Sequence, residues 1–101
     1  MKRFHISISV SDYDAAVADY SRRLGCAPEM EKPGRYALWR TALLNFTISC
    51  KEGQTGGVVR HIGFEDSAEG GVREERDAAG IVWEYFNADA QAQEVQQRLI
   101  R

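Results

Sequence analysis

Residues 4–10, FHISISV, alternate apolar and polar at every step, and the chain then changes period and runs on as a helix. No other feature constrains the fold as tightly. Alternation puts Phe4, Ile6, Ile8 and Val10 on one face of a strand and His5, Ser7 and Ser9 on the other. The stretch SDYDAAVADYSRRLG carries Tyr13, Ala16, Val17, Tyr20 and Leu24 at helical spacing. Ser11 suits the N-cap, Asp12 and Asp14 the first turn, Arg22 and Arg23 the last turn, and Gly25 the position just past the end. One apolar strand face followed by one apolar helix stripe predicts a helix packed on a sheet, an α+β arrangement.

The same order recurs later. HISISVS (5–11) can be laid over HIGFEDS (61–67); each begins His-Ile, runs as a strand and reaches a serine. The spacing predicts a second helix over 67–80, capped by Asp66 or Ser67 and stopped by Gly80, although Gly70 and Gly71 weaken it by about 1 kcal/mol each. Between the two cycles lie a Pro-containing connector (26–36), strands at Tyr36–Arg40 and Leu43–Cys50, and a Gly-rich loop over 51–57. A strand, IVWEYF (81–86), and a polar helix over 88–101 close the chain. The helix has a narrow apolar stripe of Ala92, Val95, Leu99 and Ile100.

At 101 residues the chain is sized for one domain, 1–101, with a first module over about 1–52 and a shortened second over about 58–101. A net charge of −2 with interspersed signs and no basic stripe argues against nucleic acid as partner. No apolar run nears the roughly 20 residues that cross a bilayer, and no signal-type apolar stretch follows Lys2-Arg3. Cys26 and Cys50 form no CxxC pair. Together these features predict a cytoplasmic protein with two free thiols and no membrane partner.

Three residues share a chemistry. His5 and His61 hold equivalent places in the repeat, each opposite its strand's apolar face, and Glu84 alternates with Trp83 and Tyr85 in the last strand. If Trp83 and Tyr85 cover a helix, all three point to the helix-free face. Two imidazoles and a carboxylate form a known donor set for Fe, Mn, Ni or Zn, with coordination positions left open. The plain alternative makes Glu84 an edge-strand carboxylate paired to Arg60 or Arg40. Glu65 shares the His61 face as a base or a partner of a ligand. Tyr36, Trp39 and Phe46 are candidates to line the cavity, and Arg35 and Arg40 to receive an anion.

On these residues the chain resembles the vicinal oxygen chelate superfamily of glyoxalase I, bleomycin-resistance proteins and extradiol dioxygenases. HISISVSDYDAAVADYSRRLG is similar to the family's opening, LLNFTIS to its fourth strand, VVRHIGFED to its fifth and VWEYF to its last. Asn45-Phe46 is similar to a pair in the arsenic-resistance-associated branch, whose arsenical-binding cysteines have no counterpart after Gly80. The resemblance implies paired βαβββ modules in a curved mixed sheet with helices on the convex face, the second module truncated. It implies His5, His61 and Glu84 as metal ligands and a lyase or dioxygenase acting on a small molecule with neighbouring oxygens; Glu65, from its place on the His61 face, is the candidate catalytic base. The position matching the family's fourth-strand glutamate is Asn45, which favours a three-ligand site. The other course open to such a fold is a drug-binding dimer without metal or catalysis. The truncation leaves strand edges that predict a homodimer.

Overall fold

The computed structural model describes residues 2–51, 53 and 56–100, with the side chains of 98–100 outside the description. It builds seven strands and two helices: β1 (Lys2–Val10), α1 (Tyr13–Leu24), β2 (Met30–Lys32), β3 (Tyr36–Arg40), β4 (Leu44–Cys50), β5 (Val58–Asp66), β6 (Arg73–Arg76), β7 (Val82–Phe86) and α2 (Ala88–Ile100). The strands form one mixed sheet in the order β2-β3-β4-β1-β5-β7-β6. β1 runs parallel to β4 and antiparallel to β5, and β5 runs parallel to β7. The two halves are thus related: each long opening strand has a parallel neighbour that is the last strand of its own half.

α1 forms where the periodicity places it. Its cap is Asp12 rather than Ser11, the Asp12 carboxylate accepting the Ala15 N–H at 3.1 Å. Gly25 ends it in the left-handed region at φ 76°, where a side chain would be strained. The stripe Tyr13, Ala16, Val17, Tyr20 and Leu24 packs on Val10, Ala37, Trp39 and Ile48. Trp39 is fully buried there, donating its indole N–H to Ser21 Oγ, and Phe46 lies across from Tyr20. Trp39 and Phe46 therefore belong to the α1 core and not to the cavity.

The helix expected over 67–80 does not form. The chain turns at Asp66–Glu69, runs as the fully exposed strand β6 antiparallel to β7, and turns back at Asp77–Gly80. Asp77 organises that second turn by accepting the Ala79 and Ile81 N–H groups. The charges that suggest a helix, Glu69 and Arg73 four apart, do pair, but across a turn. With no apolar stripe and two adjacent glycines, the segment gains more from the β7 ladder than from helix formation. The second half is consequently β-β-β-α, and its sheet face on the α1 side carries Phe4, Phe64, Trp83 and Tyr85 in edge and stacked contacts, all only half-buried.

The second helix also departs from the expected layering. α2 lies on the sheet face opposite α1, with Val95 buried against Tyr36 and Leu38, and Gln91 hydrogen-bonded to Asn45. As a result the polar residues of β1 are the more deeply buried ones: His5, Ser7 and Ser9 are 2%, 3% and 6% exposed, while Phe4, Ile6 and Ile8 are only half-buried. Both cysteines are free, Cys26 exposed and Cys50 half-buried. Among the described residues no helix is long and apolar enough to cross a membrane.

Candidate metal centre

Strand register brings the three predicted ligands together. His5 sits opposite Gly63 on β5, one step from Ser7, which faces His61. Glu84 on β7 pairs with the same Gly63 from the other side. A Cβ on residue 63 would collide with the Glu84 backbone carbonyl, so glycine is what allows β7 to approach. The outcome is a His5–His61–Glu84 cluster whose ligand atoms all lie within 4.8 Å of one another. His5 Nε2 and His61 Nε2 are 3.0 Å apart, and Glu84 Oε2 is 3.6 Å from His61 Nε2.

The neighbours of His5 fix its tautomer. Glu65 is ionised between Arg3, Arg40 and Asn45, so its Oε1 only accepts, and the Asn45 side-chain NH₂ must be what meets it at 2.8 Å. That turns Asn45 Oδ1 toward His5, where it accepts from Nδ1–H at 2.9 Å, and the Asn45 backbone carbonyl accepts from the same Nδ1–H at 3.1 Å. Gln91 closes the amide pair, donating to Asn45 Oδ1 and accepting from its NH₂. His5 therefore carries its proton on Nδ1 and presents the Nε2 lone pair to His61 and Glu84. An acceptor behind the distal nitrogen is how metal-binding imidazoles are commonly oriented.

Electrostatics favour the same state. Burial pushes His5 below its ordinary value of 6.5, against the opposing effect of its hydrogen bonds to Asn45, which keeps the ring neutral and able to donate a lone pair. Burial also works to raise the Glu65 carboxyl, but hydrogen bonds from Arg40 and Asn45 and the Arg40 charge outweigh it and hold the group below its usual range. β6 places Glu74 directly opposite Glu84. Like charges in that relation repel, and a cation held between the imidazoles and Glu84 would relieve the repulsion. Two neutral-capable imidazole nitrogens and a carboxylate, gathered from three strands, are chemically suited to a first-row divalent ion.

The predicted residues separate into two groups. His5, His61 and Glu84 converge. Glu65 lies behind His5, joined to it through Asn45, and its oxygens meet Arg3, Arg40 and Asn45. Tyr36 lines the centre and Arg35 a neighbouring cleft, while Arg40 pairs with Glu65 and Glu29. Arg60 also lines the centre.

Two contributors escaped the sequence reading. One is the role of Asn45, whose amide links Glu65 to His5; the resemblance marked that position only as a missing fourth ligand. Asn45 lies beside His5 in the β1–β4 register, and Glu84 lies one step beyond the neighbour of Ile62, so the β4 counterpart of Glu84 is Thr47 rather than Asn45. The other contributor is α2, which brings Gln91, Glu94 and Val95 to the pocket. Nothing in a polar helix reveals which sheet face it covers.

No protein-family model matches the sequence, and no curated protein matches it. Among solved structures, the chain is similar to the crystal structure of methylmalonyl-CoA epimerase from Mycobacterium tuberculosis, with 17% sequence identity and a TM-score of 0.55. The match covers 88% of this chain and 89% of that one. At that identity the likeness concerns the fold alone, an α+β arrangement of one seven-stranded mixed sheet with two helices.

Proposed function

We propose that the chain is a metal-dependent enzyme of the vicinal oxygen chelate kind, in which His5, His61 and Glu84 hold one divalent ion, Fe, Mn, Ni or Zn, for chemistry on a small molecule with neighbouring oxygens. The observation that carries this reading is the approach of His5 Nε2 to His61 Nε2, 3.0 Å apart, with Glu84 beside them and the His5 proton held away on Nδ1. An ion held by these three donors would leave positions open for two substrate oxygens and would supply Lewis acidity to charge developing on them. His5 and His61 donate Nε2 lone pairs. Glu84 contributes the balancing negative charge. Asn45, held by Glu65 and Gln91, keeps His5 in the donor tautomer.

Proton transfer needs a base within reach of the substrate. Sequence reasoning assigns it to Glu65, yet that carboxylate is engaged by two guanidinium groups and an amide, which lower its basicity. We assign Glu65 instead to positioning. Of the carboxylates lining the pocket, Glu84 is used as a ligand, which leaves Glu94 of α2 as the proton acceptor. The half-covered aromatic strip on the α1 side of β5 and β7, together with the outermost strands β2 and β6, supports association into a homodimer. The free thiols support a reducing, cytoplasmic setting.

Metal analysis of the purified protein beside a Glu84→Gln variant tests the reading. One equivalent of metal in the wild type and a loss of affinity of at least about tenfold in the variant support it. Absence of metal from both, with equal and weak zinc binding on titration, favours a metal-free small-molecule binder. Sedimentation of the same samples reads the oligomeric state; a monomer at all concentrations contradicts the dimer.

A further inference from the structure

The space at the cluster itself is about 20 Å³, lined by His5, His61, Glu84, Tyr36 and the α2 residues Glu94 and Val95 among others. That is room for an ion or a single water, so a small-molecule ligand must lie mostly outside it. A second cavity of about 530 Å³, within the range of small-molecule sites, opens beside it and shares two lining residues with it, Tyr36 and Glu94. The other lining residues lie away from the cluster, and two of them, Lys32 and Arg35, are cations. They come from the β2–β3 hairpin, whose turn is closed by the Arg35 N–H to the Lys32 carbonyl at 3.0 Å and by Gly34 at φ 81°. The Arg35 carbonyl in turn accepts the Cys50 N–H at 2.8 Å, tying the hairpin to the end of β4. The cleft is therefore polarised along its length, with cations toward the hairpin and the Glu94 carboxylate at the junction with the cluster.

We propose that this cleft is the ligand compartment of the centre and that Lys32 and Arg35 receive an oxyanion, a carboxylate or phosphate at one end of the ligand. The opposite, reacting end then points past Tyr36 and Glu94 toward His5 and His61. Where that reacting end goes rests on the metal-centre reading; the anion site does not. Arg35 offers a planar fork that suits two oxygens at once, and Lys32 adds a mobile point charge. Hydrogen bonds fix the backbone that carries both residues at the cleft, where two cations favour a small acid over an apolar drug.

The test is amide chemical-shift titration of the metal-free protein with inorganic phosphate and, separately, with malonate, at constant ionic strength held by sodium chloride. The proposal expects the amides of Lys32, Arg35, Tyr36, Ser49 and Cys50 to move on one saturating curve with at least one of the two anions, and the better probe identifies the ligand's anionic group. A Lys32→Gln/Arg35→Gln double variant should bind at least about tenfold more weakly, the loss expected for charge-assisted hydrogen bonds. Glu94→Gln should bind more tightly, since it removes a like charge from the lining of the same cleft. An Arg22→Gln/Arg23→Gln control, equal in net charge change but on the exposed side of α1, should leave binding unaltered. Absence of a saturable shift, an unchanged dissociation constant in the hairpin variant, or an equal loss in the α1 control overturns the proposal. A zinc titration of a separate sample, read at His5 and His61, reports on the metal centre independently, so either result can fail while the other stands.

Discussion

Asn45 shows how far one side chain can reach without touching a reacting atom. Its amide has four polar contacts inside the fold, to His5, Glu65 and twice to Gln91, and it is wholly buried. Asn45→Ala leaves the Gln91 amide without its buried partner, takes one donor from Glu65, which keeps Arg3 and Arg40, and takes from His5 one of the two acceptors on Nδ1–H. A buried group left without a partner costs about 1–3 kcal/mol, and loss of the shorter of the two acceptor contacts behind His5 should weaken metal binding by about tenfold. Urea denaturation and zinc competition should both register the change; a variant that lost stability but kept full metal affinity would show that Asn45 braces the fold and does not orient the ligand. The convergence of His5, His61 and Glu84 was legible in the sequence because strand period, the repeated His-Ile and the family resemblance together put the three on one face. Asn45 was not, because its importance depends on the Glu65 ion pairs with Arg3 and Arg40, residues remote along the chain.

At the scale of elements, periodicity predicted what has an apolar face and failed where it does not. β1 and α1 have such faces and form where expected. Residues 67–80 have none, and their charges fit a helix as well as a strand until β7 supplies a ladder for Arg73–Arg76. α2 was legible as a helix but not in its placement, since its docking rests on Val95 and the Gln91–Asn45 pair. α2 also provides the cover that desolvates His5. Val95→Ala removes packing worth roughly 2 kcal/mol and loosens that cover, so the His5 pKa should rise back toward 6.5. Proton titration of the His5 ring in metal-free protein measures this directly. An unmoved His5 pKa in a variant that has lost stability would mean that the strands alone, without α2, set the environment of the ring.

For the whole molecule, the polar interior makes stability depend on pH in a definite direction. His5 titrates below 6.5 in the fold, so the unfolded chain takes up the proton first, and stability falls as pH drops from 6.5 toward the folded value. The Glu65 carboxyl lies below its ordinary 4.5, so its contribution is complete above 4.5 and is lost as pH falls through the folded value. The urea midpoint of metal-free protein should therefore decline in two stages on acidification, one below 6.5 and one below 4.5; a midpoint that stays level or rises through the first window contradicts the buried neutral His5. A bound ion should deepen the first stage, because protons then compete with it for Nε2. The most direct test of the central claim, that two imidazoles far apart along the chain but on neighbouring strands share one ion through Nε2, is ¹⁵N spectroscopy of the histidine rings during zinc titration. The account predicts that the Nε2 resonances of His5 and His61 both shift to metal-bound positions at one equivalent of zinc while His5 keeps its proton on Nδ1. Two independent titrations, a shift at only one ring, or coordination of His5 through Nδ1 would contradict it.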